Sequence, residues 1–350
     1  MGGDGGPEAT LAGVAIARRR HPKVRFLLHG DEQVLTPILA RNKTLAHCAE
    51  IRHTPSQIRM EEKPSQALRR GRNSSMWNAI EAVAKGEANV AVSAGNTGAL
   101  MAISMFRLGL IEGISRPAIA VIWPTIRGQS IVLDVGANAG SDAQQLVDFA
   151  VMGEAFSRAV FGIVRPTVGL LNIGEEEVKG IEPVKLAAKI LRASKLPIEF
   201  CGFVEGDDIS QGTVDVVVTD GFTGNIALKT AEGTAKMVLY YLKSALMRSL
   251  LGRLGAVLAR GALRILRRKL DPRTLNGGVF LGLNGVVVKS HGGADSLGFA
   301  SALDLAIDMG GSDIVQRILA DHAGVSSTPV EEQEPGGPDE TAGKAQVAVS

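Results

Sequence analysis

The chain has 350 residues, 45% of them hydrophobic, enough to bury a large core. Its formal net charge of +2 argues against a general polyanion binder, so no nucleic-acid partner is expected. The MGGDGGPEAT start has neither the basic nor the apolar region of a secretory leader, and no run of about 18 uncharged apolar residues offers a membrane span.

Short β-branched runs alternate with stretches of helical period, which predicts a mainly parallel sheet with helices on both faces. Strands are expected over 24–28, 90–92, 118–122, 131–134, 167–172, 198–203, 214–219 and 286–289, and helices over 75–84, 97–108, 142–159, 183–193 and 294–320. Leu146, Phe149, Ala150, Gly153 and Phe156 share one helical face, as a core stripe should. The last residues are rich in Pro, Gly, Glu and Ser without an apolar period, so one globular unit, 1–323, is expected before a disordered tail, 324–350.

Four segments share an apolar strand, a polar glycine turn and a helix start: AVSAGNTGALM (91–101), VLDVGANAGSDAQQL (132–146), VVTDGFTGNIALKT (217–230) and VVVKSHGGADSL (286–297). In a doubly wound sheet such turns lie at strand carboxyl ends, where helix N-termini suit a phosphate or oxyanion. Taken singly, each turn is explained by capping: Ser141 with Gln144 reads as a capping box, and Thr97 or Thr223 as an N-cap. Four together, two with an aspartate at the strand end (Asp134, Asp220), favour a composite site where the turns converge.

No GxxxxGK[ST], no GxSxG and no GxGxxG with its distant acidic partner is present, which argues against nucleotide hydrolysis and a serine elbow. Cys48 and Cys201 lie outside the polar turns, and Cys201 reads as a buried, inert strand thiol. Of six histidines only His291 falls in a candidate turn, and no pair has metal-ligand spacing.

Successive blocks then carry a resemblance: MGGDGGPE at the start, EKPSQALRRGRNSSM (62–76), VSAGNTGALM (92–101), LDVGAN (133–138), LLNIGEEEVKG (170–180), FVEGDDI (203–209), DGFTGNIALKTAEG (220–233) and LGLNGVVVKSHGGAD (281–295). In this order, covering the chain to about residue 323, they resemble the PlsX phosphate acyltransferases. The resemblance implies a homodimeric three-layer α/β/α fold similar to phosphotransacetylases and the isocitrate/isopropylmalate dehydrogenase group. It also implies transfer of a fatty acyl group from acyl carrier protein to inorganic phosphate, at the entry to phospholipid synthesis. No cofactor and no metal are implied. The implied setting is the cytoplasm, peripheral to the inner face of the cell membrane, with the membrane glycerol-3-phosphate acyltransferase PlsY as a partner.

In that reaction phosphate is the nucleophile, so cations and N–H donors must neutralise it and the developing oxyanion. Lys289, Lys229 and Lys179 are the candidate cations, with Asn225 and Asp220 beside them in the catalytic group. Ser93, Asn96, Thr97, Asp134, Asn138, Thr223, Gly224, Ser290 and His291 are the candidate phosphate and acyl-phosphate contacts. Asp220 or Asp134 is expected to orient a lysine or accept a phosphate proton. Lys179 also reads as a solvated lysine beside Glu175, Glu176 and Glu177. Family members begin with a strand leading into the MGGD block, so an apolar strand is expected ahead of it.

Residues 234–270 contain no acidic side chain and interleave Arg253, Arg260, Arg264, Arg267 and Arg268 with aliphatic residues. Such a segment suits an anionic membrane surface or acyl carrier protein, and equally a dimer interface with a basic rim. Gly252, Gly255 and Gly261 are expected to break it into separate helices. Three other readings compete: a phosphotransacetylase-like enzyme using coenzyme A, a dehydrogenase of the isocitrate type, and a membrane-surface adaptor without catalysis.

Overall fold

A computed structural model describes residues 2–269, 271 and 276–325, with the side chains of residues 267–269 and 324–325 left aside. Most of the expected tail, from residue 326, lies outside the described residues, and 324 and 325 close the last helix. The strands are β1 (Phe26–Gly30), β2 (Ala49–His53), β3 (Val90–Ser93), β4 (Ala118–Pro124), β5 (Gln129–Leu133), β6 (Thr167–Leu171), β7 (Glu199–Val204), β8 (Val216–Val218), β9 (Gly278–Leu281) and β10 (Val286–Lys289). The helices are α1 (Gly6–Arg20), α2 (Glu32–Ala40), α3 (Pro64–Arg70), α4 (Ser75–Ala84), α5 (Thr97–Leu108), α6 (Ala143–Phe161), α7 (Glu182–Ala193), α8 (Gly206–Gln211), α9 (Gly221–Met247), α10 (Leu250–Leu258), α11 (Arg260–Lys269), α12 (Ser296–Gly310) and α13 (Ile314–Val325).

Eight strands form one sheet in the order β3-β10-β9-β4-β5-β8-β6-β7, and β1 pairs with β2 in a separate parallel pair. The β3–β10, β5–β8, β8–β6 and β6–β7 pairings are parallel, and β9 and β4 supply the antiparallel ones in between. Alternation of side chains across the strands makes three layers. Ile131, Leu133, Val279, Leu281, Val286 and Val288 pack with α6, α12 and α13 on one face, whereas Val132, Phe280 and Val287 pack with α4 and α5 on the other. The mostly parallel α/β architecture is as the sequence predicts. α6 goes beyond the expected stripe, being buried along most of its length from Ala143 to Ser157. α13 docks on it through a buried His322–Asp148 contact of 3.2 Å.

Two strands and several helices escape the sequence pattern. β2 is exposed or half-buried at each position, so it lacks an apolar signal, and β9 is a short strand opening on Gly278. The expected helix over 294–320 is two, α12 and α13, parted at Gly311–Asp313. In the basic segment, α9 runs unbroken through Gly233, and the interruptions fall at Arg248–Ser249 and at Ala259. Gly252 and Gly255 lie inside α10 and Gly261 inside α11, so the expected glycine breaks are misplaced. The first interruption has a local cause: the Ser249 side chain caps α10 by accepting from the Gly252 amide.

Among the described residues, β1 and β3 each keep one unpaired edge. Between them lies a groove of about 900 Å³ lined by Phe26, Leu28, Val90 and Val92, with Gly2 beside it.

The cysteine expectation needs correcting. Cys201 lies on the edge strand β7 and is exposed, because the outer strand is covered less well than the sheet centre, whereas Cys48 is the buried one. Partial burial, then the charges of Glu199 and Asp215, push the Cys201 thiol pKa up, away from a reactive thiolate. Alanine at either position is expected to leave turnover within about three-fold, since phosphate needs no thiol nucleophile. Only Cys48→Ala should lower the melting temperature, by opening a small cavity. Trapping an acyl group on either sulfur during turnover would contradict this.

Candidate active site

The four glycine turns do not meet at a single point. β5 and β8 run opposite to β10 and β3, so their turns leave the sheet in opposite directions, as two pairs.

The β5 and β8 turns form the first pair. Asp134 is fully buried, and its carboxylate accepts from the amides of Ile119, Gly136, Ala137 and Asn138 and from Asn138 Nδ2, at 2.8 to 3.2 Å. Burial raises its pKa, and the same hydrogen bonds oppose that rise. Asn138 Nδ2 also donates to Pro117 O at 2.8 Å. These two side chains therefore build the turn, and Asp134 has no exposed oxygen for a substrate. Gly221 and Gly224 let α9 start against this turn, since a Cβ on either would collide with the backbone oxygens of Asn138 or Asp134. Asp220 caps α9, taking the Phe222 and Thr223 amides and the Thr223 hydroxyl. Asn225, one turn further, is exposed beside Gly136 and has no side-chain hydrogen bond among the described residues.

The second pair joins the β3 and β10 turns with the N-terminal turn. The Ser290 amide donates to Ser93 O and the Asp4 amide to Gly292 O. Asn276 organises the loop: its Nδ2 donates to the buried Ser290 hydroxyl at 2.8 Å, and its Oδ1 accepts from the His291 amide at 2.9 Å. Lys289 points from the end of β10 and donates to Ser290 O. Burial first, then the Lys229 charge, push its pKa down to about 8, and Asp4 opposes them. His291 is likewise held below its usual range, by burial and then by Lys229.

α9 connects the pairs. Asn225 and Lys229, four residues apart, share a helix face. Lys229 Nζ reaches His291 Nε2 at 3.3 Å and Glu232 Oε2 at 2.9 Å. The Lys229–Lys289–His291 group, with Asp4 and Glu232 at its edge, is reached from solvent, because Lys229 and His291 are exposed.

Several expected contacts do other work. Asn96 caps α5 through the Ala99 amide, and its Nδ2 ties down the carbonyls of Met60 and Glu62 at 2.7 and 2.9 Å. Thr97 is the first residue of α5, and the caps are Asn96, Asp142 with Gln145, and Asp220, not Thr97, Ser141 with Gln144, or Thr223. A cap satisfies amides at each of the four helix starts, with Asp295 serving α12, so the charge for an anion comes from side chains. Ser93 Oγ accepts from the Gly95 amide. Lys179 forms an exposed ion pair with Glu176 at 2.8 Å in the loop after β6, and no described hydrogen bond or ion pair joins it to Lys229 or Lys289. Arg253, Arg260 and Arg264 are exposed on α10 and α11, and the side chains of Arg267 and Arg268 lie outside the described residues. Nothing local in the sequence marks Asn276 or Glu232, because neither stands in a glycine turn and only folding brings them to His291 and Lys229.

A three-layer, mostly parallel α/β sheet with a lysine pair and a histidine at a strand end defines an α/β protein of phosphotransacetylase-like fold. A phosphotransacetylase from Streptococcus pyogenes superposes with a TM-score of 0.60 at 16% identity, covering 88% of this chain and 92% of that one. The EutD phosphotransacetylase from Staphylococcus aureus gives a TM-score of 0.50 at 16% identity, covering 86% and 99%. The model of the family described as "Fatty acid synthesis protein" matches residues 1–317. The phosphate acyltransferase of Parvibaculum lavamentivorans is 61% identical over 322 residues, 92% of this chain and 89% of that protein. That of Rhizobium meliloti is 57% identical over 325 residues, 92% and 94% respectively. The chain belongs to this phosphate acyltransferase family and is an acyltransferase.

Proposed function

We propose that the enzyme moves a fatty acyl group from acyl carrier protein to inorganic phosphate, and that the acyl phosphate feeds phospholipid synthesis. One observation carries the reading: Lys229 and Lys289 converge on His291 at the meeting of two loops, where a dianion meets two cations at once. Phosphate held there attacks the thioester carbonyl, and the lysines offset the charge that gathers as phosphate and carbonyl oxygen approach. Asn225, on the Lys229 face of α9, is a free donor for the oxyanion or a phosphate oxygen. Purified enzyme with carrier-linked acyl thioester and phosphate should yield acyl phosphate, trapped by hydroxylamine as the hydroxamate. Equal or better turnover with acyl-coenzyme A would replace the carrier as donor, and no hydroxamate with either would overturn the reading.

The reading includes a homodimer acting at the inner membrane surface and handing product to the membrane acyltransferase PlsY. Leu250 and Leu251 are each 82% exposed and Leu258 80%, beside Arg253, Arg260 and Arg264. Exposed leucines next to arginines suit an anionic bilayer, with apolar side chains dipping in and guanidiniums at the headgroups. Among the described residues no helix is long and apolar enough to cross a membrane. Leu250→Glu with Leu251→Glu is expected to weaken binding to anionic vesicles at least about ten-fold, losing two buried leucines and adding two like charges. Turnover with dissolved substrates should persist. Unchanged vesicle binding would assign this face to another partner, such as the carrier protein or a second copy of the chain.

A further inference from the structure

Met60 is an apolar side chain held out on a fixed backbone. It stands in the turn 59–62, between β2 and α3. Asn96 Nδ2 donates to the carbonyls of Met60 and Glu62 at 2.7 and 2.9 Å, and the Arg59 amide donates to Glu62 Oε1 at 2.9 Å. With its backbone tied in this way, Met60 still leaves 43% of its surface exposed. Its methyl lies against the His291 turn: a Cβ on Gly292 would be 3.5 Å from Met60 Cε.

α9 brings further apolar groups to the same place. Phe222, Asn225, Ile226 and Lys229 are spaced three and four residues apart and share one helix face. Phe222 is 63% exposed and Ile226 50%. Through Lys229 Nζ, 3.3 Å from His291 Nε2, that face meets the turn on which Met60 rests. Met60, against the residue after His291, and Ile226, one helical turn before Lys229, therefore bracket the Lys229–His291 contact. Single exposed apolar side chains are ordinary on any surface. Here three of them, from two segments remote in sequence, gather at one polar contact.

We propose that Met60, Phe222 and Ile226 form the acyl-chain subsite, an apolar wall for the first carbons of a fatty acyl group whose reacting end lies at the lysines. This rests on the reading that phosphate binds at the Lys229–Lys289 group. A ligand with an anionic head and an apolar chain needs both kinds of side chain on one surface. α9 supplies them together, with Phe222 and Ile226 for the chain and Asn225 and Lys229 for the head. Inorganic phosphate alone makes no use of the apolar members, and neither does folding, since exposed positions tolerate substitution. Methionine is unbranched and polarizable, so it adapts to chains of differing conformation. Each methylene that reaches the wall removes apolar surface from water on both partners, so affinity should grow with chain length. A two-carbon acyl group ends short of the wall and gains nothing from it, which gives the site its preference for long chains.

Alkyl phosphates test this without turnover, because they join a phosphate head to a chain and have no acyl bond to transfer. Octyl phosphate, kept below its micelle concentration, should bind at least about ten-fold tighter than ethyl phosphate by calorimetry. In Met60→Ser with Ile226→Ser that ratio should fall to about three or less, the loss falling on the octyl ligand, with a melting temperature within about 2 °C of wild type. In turnover, the same double variant should lose about ten-fold in its kcat/KM preference for a long-chain over a two-carbon thioester. An octyl-to-ethyl ratio that the double variant leaves unchanged, or a wild-type ratio near one, overturns the subsite. Ethyl phosphate decides the underlying reading separately. Lys229→Ala with Lys289→Ala should weaken its binding at least about ten-fold, as for loss of charged hydrogen bonds, and unchanged binding would remove the phosphate site from this place.

Discussion

Lys289→Ala is expected to lower kcat/KM by about 100- to 1,000-fold, the loss typical for deleting one preorganised donor to a developing oxyanion. The loss follows from where the Lys289 ammonium stands. It leaves the end of β10 more than half buried, in a site where solvent screens poorly, so each charge contact counts for more than at the surface. Its pKa, pushed down to about 8, sets the sign of the pH effect. The side chain is charged below that value and loses its charge as pH rises through it, so phosphate KM should climb above about pH 8. Lys289→Arg should move that alkaline limb upward, because a guanidinium stays charged there. Asn225→Ala should lower activity by a similar order, having no other partner to reorganise. Steady-state kinetics across pH would test the set. Near-normal rates for both alanine variants at limiting phosphate would show that the site lies elsewhere.

Asp134→Ala should act on stability with little direct part in the chemistry. Five donors converge on its carboxylate in a place closed to water. Each buried donor left unpaired costs about 1 to 3 kcal/mol, so the variant should lose about 4 kcal/mol or more even if some donors find water. Against a stability of about 5 to 15 kcal/mol, that loss is severe. Asp134→Asn keeps one accepting oxygen but turns an NH₂ toward backbone N–H groups, and should fall between wild type and alanine. Thermal melts should show the alanine form about 10 °C lower or failing to fold. A melting temperature within about 2 °C of wild type would mean that the turn holds without its central acceptor.

These two expectations separate roles that look alike in a strand-turn-helix pattern. Asp134, Asp220 and Asn96 stand where a ligand contact is a reasonable reading, yet each is occupied with backbone amides of its own turn. Lys229, Lys289 and His291 instead make their contacts across neighbouring loops and helices, with Lys229 and His291 open to solvent. Residue type and spacing are the same signal for both groups; burial and the direction of hydrogen bonding divide them.

By itself, the sequence determined the properties that depend on neighbours along the chain. Side-chain alternation and helical period placed β10, α4 and α5 with the observed ends, because strong β-branched runs and glycine punctuation act over a few residues. The signature blocks carried the family for the same reason. What lacked a local signal had to wait for the tertiary structure. β2 has charged, exposed positions, and Ser249 rather than a glycine interrupts the basic helices. Only the strand order shows that the β5 and β8 turns leave the sheet opposite to those of β3 and β10, and that α9 carries Lys229 across to His291. Asn276 and Glu232 join the site through contacts between loops and helices remote in sequence or hidden within a uniform helix. Which polar groups serve the fold and which remain for chemistry was decided by packing, since only packing settles who donates to whom and where water is shut out.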